Sequence, residues 1–255
     1  MSNTTNARPC KAGALALALC LAAALGHAGT WAQESKNMNA ICTTSETLSL
    51  RQQSIVPVAA FASAGDIARL NTALEQGLDA GLTINDSKEI LVQVYAYAGF
   101  PRSLNALGEL MKVVDARKQR GVQDKQGQLP SRPIPKGDAL LAAGTANQTK
   151  LAGQPVKGAL FDFAPAIDEY LKTHLFGDVF ERDNLDWQSR ELATVGMLSA
   201  LPGAESQLQA HMRISMNVGL TASQLDQLTQ VLADRVDAGA AGRAREALAR
   251  HRATR

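Results

Sequence analysis

The sequence predicts an all-α protein, and three observations support this fold class. Apolar residues recur at helical spacing almost everywhere after residue 46. No stretch shows the alternation of apolar and polar residues that a convincing strand would need. The triplet Gly-Leu-Thr occurs at 81–83 and again at 219–221, each time between two amphipathic stretches. We therefore expect two tandem helical repeats that form one compact helical bundle.

Residues 1–32 have the features of a secretory signal peptide. Arg8 and Lys11 precede an apolar run at 12–25, and small residues follow it. This run is shorter than a helix that spans a bilayer. We therefore expect residues 1–32 to be removed on export, leaving a periplasmic or secreted protein that does not associate with the membrane.

The mature chain would retain only Cys42, because Cys10 and Cys20 lie in the signal segment. An intrachain disulfide is therefore excluded, and a domain of about 220 residues can bury its own core without one. We interpret Cys42 as an incidental thiol in an N-terminal arm, residues 33–45. A reactive or intermolecular thiol is the alternative.

The charges are nearly balanced, with 26 Lys and Arg residues against 24 Asp and Glu residues. No basic stripe is interleaved with aromatic residues, so we expect no nucleic acid partner. His174 and His251 lack partners at the spacing of metal ligands, so we expect no metal site.

Apolar periodicity predicts four main helices in each repeat. In the first repeat, residues 46–118, they lie near 47–64, 67–80, 86–98 and 101–118. In the second repeat, residues 161–255, they lie near 187–200, 204–218, 222–236 and 240–252, after a further helix near 164–173. Residues 119–160 are rich in Pro and Gly, and we interpret them as a long connection rather than a core element.

The turns between the helices have a physical explanation. Gly81 and Gly219 follow an apolar-periodic helix, where a left-handed C-cap residue is favoured. Thr83 and Thr221 can then cap the next helix, and Thr221 with Gln224 fits a capping box.

His211 is the most informative polar residue of the second repeat. It shares one predicted helix face with apolar and small residues at Leu208, Met212, Ser215 and Met216. An inward His is often a core residue, but the first repeat has Ala73 at the matching position. The fold therefore does not require an imidazole there, which favours a functional role for His211.

Arg190 and Glu191 lie on the preceding helix, where the first repeat has Gln52 and Gln53. Glu191 and His211 fall on consecutive predicted helices, and a helix hairpin can bring two such side chains face to face. The alternative is that these charges only stabilise the start of a helix.

The first repeat has its own line of polar residues at Glu89, Gln93 and Tyr97. Their regular spacing, one helical turn apart, places them on one face of a helix that ends before Gly-Phe-Pro-Arg at 99–102. A solvated stripe is the alternative. Aromatic residues form only 4% of the chain, and because they are usually buried, the tyrosine favours a buried line.

Together these motifs resemble those of the carboxymuconolactone decarboxylase family, which includes the alkylhydroperoxidase D-like proteins. The resemblance rests on Arg-Glu-Leu at 190–192, on Gln-Leu-Gln-Ala-His at 207–211 before Gly-Leu-Thr, and on Glu89 and Tyr97 before Gly-Phe-Pro. It covers about residues 45–115 and 165–240. Single-domain relatives carry both motifs in one repeat, whereas here the repeats divide them. We therefore expect a composite pocket within one chain or at a subunit contact.

The resemblance also implies the chemistry of the site. The peroxidase branch of the family needs Cys-x-x-Cys before its His, and residues 207–210 contain no cysteine, so reduction of peroxides by a disulfide relay is excluded. The decarboxylase branch uses no metal or organic cofactor. His211 would then be the acid–base group, Glu89 and Glu191 would orient or protonate it, and Tyr97 would bind a developing oxyanion.

Arg190 or Arg102 would bind a substrate carboxylate, with Gln93 as a further substrate contact. The expected protein is a cofactor-independent lyase or isomerase that acts on a small carboxylate or lactone, in a homo-oligomer. The alternative is a non-catalytic periplasmic binding or assembly protein that has retained the fold.

Overall fold

The computed structural model describes residues 46–253; the predicted signal segment, the N-terminal arm and Cys42 lie outside them. Eleven α-helices and one π-helix form this part of the chain, and no strand occurs in it. The all-α fold class is therefore confirmed. None of the helices between residues 46 and 253 has the length and apolar character needed to cross a bilayer.

Four α-helices come before the connecting segment and four come at the end of the chain. The first four are α1 (Leu50–Ala64), α2 (Ile67–Asp79), α3 (Ile84–Ala98) and α4 (Phe100–Gln119). Between them and the last four lie α5 (Asp138–Ala152), α6 (Ala159–Phe163), α7 (Pro165–Tyr170) and a π-helix (Leu171–Val179). The last four are α8 (Trp187–Ser199), α9 (Glu205–Asn217), α10 (Ala222–Arg235) and α11 (Ala238–Ala253).

The first and last groups of helices begin in matching register. Helices α2, α3 and α4 begin at positions 67, 84 and 100, and α9, α10 and α11 begin at positions 205, 222 and 238. The interval between corresponding helices is the same in all three cases. The first pair, α1 and α8, begins at 50 and 187, which is one residue less than this interval. The duplication of an ancestral unit stays a prediction, but the two groups have the same order and nearly the same spacing.

The turns have the geometry that their residues predict. Gly81 and Gly219 have φ of 98° and 99°, which favours glycine because an L side chain is strained there. Thr83 and Thr221 accept a hydrogen bond from the backbone three residues later, and each forms a capping box.

Helices α1 and α8 lie at the centre of the helical unit formed by the described residues. Both are buried along most of their length, and the main core cluster combines apolar residues from both groups of helices. The two helices approach closely because Gly196 has no side chain: a Cβ there would lie 2.8 Å from the carbonyl oxygen of Val56. The Nη1 atom of Arg51 lies 3.4 Å from the Oγ atom of Ser189 at the matching position of α8.

The connection at 119–160 contains a core element that the sequence did not predict. Helix α5 lies in this segment, and its Leu140 and Leu151 side chains are buried. Most of its apolar residues are alanines, so the helical pattern is weak. The predicted helix near 164–173 was also wrong in extent, because α7 ends at Tyr170 and the chain continues as a π-helix.

Packing of α5 against the π-helix depends on Gly144. A Cβ at this position would lie 1.7 Å from the backbone oxygen of Lys172, so Gly144→Ala must force the two helices apart. We expect this variant to lower the free energy of unfolding, measured in urea, by about 1–3 kcal/mol.

Gly108 in α4 provides the matched control, because no heavy atom lies within 4 Å of a Cβ added there. Gly108→Ala should raise the free energy of unfolding by roughly 0.5–1 kcal/mol, since alanine favours a helix. Equal effects of the two substitutions would contradict the close packing at Gly144.

Candidate active site

A buried acid–base pair joins the adjacent helices α8 and α9. The Nδ1 atom of His211 lies 2.8 Å from the Oε2 atom of Glu191. Glu191 is fully buried, while His211 keeps 8% of its surface exposed. Their positions on consecutive predicted helices suggested that these two residues could meet, and in the structure they are in contact. An ionised Glu191 accepts a hydrogen bond from Nδ1, so the other ring nitrogen, Nε2, is available as a base.

Tyr97 of α3 lies beside this pair. Its ring meets the His211 ring edge to face, with 5.8 Å between the ring centroids, and its hydroxyl accepts a hydrogen bond of 3.3 Å from Thr194. Burial, together with the negative charge of Glu191, raises the pKa of the Tyr97 hydroxyl. Tyr97 therefore keeps its proton and can donate a hydrogen bond to a ligand.

His211 and Tyr97 line a cavity of about 450 Å³, a size typical of small-molecule sites. Much of its wall is apolar, including Phe161, Leu171, Leu175, Phe176, Leu198 and Ile214. Its other polar residues are Gln148, Gln207 and Arg213. Helix α5, the segment around α6 and the π-helix thus contribute walls that the sequence did not predict.

A chain of polar contacts holds α3 against α8 behind Tyr97. The amide nitrogen of Gln93 donates to Thr194 Oγ1 over 2.7 Å and to the Arg190 carbonyl over 3.0 Å. The Nη2 atom of Arg190 donates to Glu89 over 3.1 Å. Arg190 is fully buried and Gln93 is too, so these two residues position the helices rather than reach into the cavity.

Glu89 lies at the far end of this polar chain, in contact with Arg182 through hydrogen bonds of 2.6–3.1 Å. Asn184 donates a further bond of 3.1 Å. Glu89 lines a second cavity, of about 600 Å³, and is not among the residues that line the His211 cavity. It therefore does not orient His211, contrary to the expectation from the sequence. Arg182 and Asn184 were missed because they lie in an irregular loop without a sequence pattern.

Electrostatics keeps Glu89 ionised. Burial alone would raise the pKa of its carboxyl, but the hydrogen bonds from Arg182 and the charge of Arg190 outweigh it, so the pKa lies below its ordinary value of 4.5. A carboxylate this buried requires such partners.

Ionisation of Glu89 should make the free energy of unfolding depend on pH. Because its pKa is lowered in the folded state, its stabilisation is complete above about pH 4.5 and is lost as the pH falls through the folded-state value. We expect the free energy of unfolding to decrease below pH 4.5, and Glu89→Gln to reduce this decrease. Urea unfolding across the acid range measures it, and an unchanged pH dependence in the variant would contradict the assignment.

Arg102 lies outside the candidate site. Its Nη1 atom donates to the carbonyl of Ser63 near the end of α1, and the residue is not among those that line the His211 cavity. The role of a carboxylate-binding cation, assigned to Arg102 or Arg190 from the sequence, therefore has no support from their positions.

Metal ligands are not clustered in the described part of the chain. Between residues 46 and 253, no group of three or more His, Cys, Asp and Glu side chains is arranged to hold an ion. His174 lies on the surface, 3.3 Å from Asp178.

A family match covers the part of the chain that carries the acid–base pair. Residues 165–250 match the carboxymuconolactone decarboxylase family. The matched segment contains both Glu191 and His211, whereas Tyr97 and Gln148 reach the same cavity from outside it. A search of curated proteins found no match to the chain.

Proposed function

We propose that the protein is a cofactor-independent lyase or isomerase of the carboxymuconolactone decarboxylase type, which acts on a small carboxylate or lactone. The observation that carries this proposal is the His211–Glu191 pair, which is buried on one side and borders an apolar cavity on the other. A His–carboxylate pair in such a setting can act as a general base and then as a general acid.

The chemistry follows from the positions of three groups. Nε2 of His211 would take a proton from the carbon next to a carbonyl group, and Glu191 would stabilise the resulting imidazolium. The Tyr97 hydroxyl would donate to the enolate oxygen. Return of the proton to another carbon gives an isomer. In a lyase, an imidazolium formed beforehand would instead protonate the carbanion left by loss of carbon dioxide.

The proposal includes the wider expectations from the sequence. The protein would be exported, would act as a homo-oligomer, and would have arisen by tandem duplication in which the halves took different parts of the site. The common spacing of most helix starts in the two groups supports the duplication.

Proton exchange offers a test that works before the substrate is identified. The protein would be incubated in D₂O with small carboxylic acids and lactones, and NMR would follow deuterium uptake, isomerisation and loss of carbon dioxide. We expect one class of compound to exchange or react faster than in buffer. Ligands that raise the melting temperature without exchange or conversion would instead support the alternative, a non-catalytic periplasmic binding or assembly protein, for which the apolar cavity is also suited.

A further inference from the structure

One amide side chain in the wall of the His211 cavity has no hydrogen-bond partner within the described residues. Gln148 of α5 is only 4% exposed and belongs to the cavity wall. Its neighbour Asn147 donates to Glu181 over 2.7 Å, but within residues 46–253 the Gln148 side chain makes no hydrogen bond. Its amide atoms are not among the fully enclosed polar atoms that lack a partner, so they can be reached from the cavity. The amide of Gln148 is therefore suited to bind an oxygen of a ligand in the cavity.

The cavity wall also includes an exposed cation that has no ion pair within residues 46–253. Arg213 of α9 lies two residues after His211, lines the cavity, and has no carboxylate partner in the described part of the chain. By contrast, Arg190 is bound to Glu89 and to a backbone carbonyl. The cavity wall includes no Asp or Glu among residues 46–253, and Glu191 is bonded to His211. Arg213 is therefore the charged group of the cavity wall that can pair with an anion.

We infer that Gln148 and Arg213 form a recognition subsite for a monocarboxylate with an apolar cyclic body. Arg213 would pair with the carboxylate, since a guanidinium can bind it through two parallel hydrogen bonds. Gln148 would bind a second oxygen of the ligand, because an amide can donate as well as accept. The apolar residues Phe161, Leu175 and Phe176 would cover the hydrocarbon part. This inference rests on the proposed function only in using the same cavity.

Binding of matched acids and amides tests this assignment. Phenylacetate and cyclohexanecarboxylate would be titrated by calorimetry into the full protein, alongside phenylacetamide and cyclohexanecarboxamide. We expect the acids to bind about tenfold more tightly than the amides, since a hydrogen bond to a charged group contributes at least this much. Arg213→Gln should remove the preference, while Arg245→Gln, an equal change of charge on α11, should leave it intact.

Gln148→Met keeps the size of the side chain and should weaken acids and amides alike, by about fivefold to tenfold. Gln148→Glu should weaken the acids more than the amides, because it places like charges together. Circular dichroism establishes that each variant is folded. Equal affinity of the wild-type protein for acids and amides, absence of saturable binding, or a preference that survives Arg213→Gln would overturn the subsite. Unchanged affinities in both Gln148 variants would remove Gln148 from it.

The outcomes separate binding from catalysis. A preference for acids that depends on Arg213, found without deuterium exchange or conversion of any compound, supports the subsite and overturns the proposed reaction. Exchange or conversion without a preference for acids overturns the subsite and leaves the reaction standing.

Discussion

Replacing His211 with asparagine is expected to lower kcat for the proposed reaction by a factor of about 10² to 10⁴, the usual contribution of a positioned acid–base group. Asparagine retains polarity and approximate size but cannot take up and return a proton near neutral pH. The helical circular dichroism should remain, because the asparagine amide can still donate a hydrogen bond to the buried carboxylate of Glu191. Steady-state kinetics on the compound found by proton exchange provides the measurement.

Two further variants test whether the loss of kcat is specific to the His211–Glu191 pair. Glu191→Gln should also lower kcat, because an amide can accept from Nδ1 of His211 but cannot stabilise the imidazolium by charge. His174→Asn, on the surface beside Asp178, should leave kcat unchanged. Full turnover in the His211 variant would remove this residue from the mechanism.

Replacing Arg190 with methionine should be among the most destabilising changes in the chain. Arg190 has no exposed surface and binds Glu89, which is itself 3% exposed. Methionine removes the charge and the hydrogen bonds but leaves Glu89 buried with only part of its compensation. We expect the free energy of unfolding to fall by about 3–5 kcal/mol, as when one partner of a buried ion pair is lost. Urea denaturation measures this change.

The control for this prediction is an ion pair on the surface. Arg252 lies 2.7 Å from Asp226 with both side chains about half exposed, so Arg252→Met should cost only about 0–1 kcal/mol. A double variant, Arg190→Met with Glu89→Met, should be less destabilised than the sum of the single variants, because the unpaired charge is gone. Arg190→Met and Arg252→Met of equal stability would contradict the structural role of the buried pair.

Much of the fold could be predicted because helix periodicity and turn chemistry are local signals. Gly81, Thr83 and their counterparts at 219 and 221 act within a few residues, so the sequence alone locates the helix ends. Helix α5 was missed because alanine gives it little contrast between faces. The π-helix was missed because no periodicity of large apolar residues distinguishes it from the α-helix that was expected there.

Contacts in the site could be predicted from the sequence when both residues lie on one helix hairpin. Contacts between residues that are distant along the chain could not. Glu191 and His211 lie on helices α8 and α9, which a short turn connects. Their spacing in the sequence was therefore sufficient to predict their contact. Glu89 was grouped with His211 from motif resemblance, yet its partner Arg182 is 93 residues away in sequence. Gln148 and Arg213 have no pattern that marks them, and only the packing of α5 against the cavity reveals them.

The polar contacts between α3 and α8 have a consequence for how this protein can evolve. Glu89 and Gln93 belong to one helix, and their partners Arg190 and Thr194 belong to the other, far along the chain. A change of charge at either Glu89 or Arg190 alone leaves the other buried with only part of its compensation. In sequences that descend from this one, substitutions at the two positions should therefore occur together, although the positions are distant along the chain.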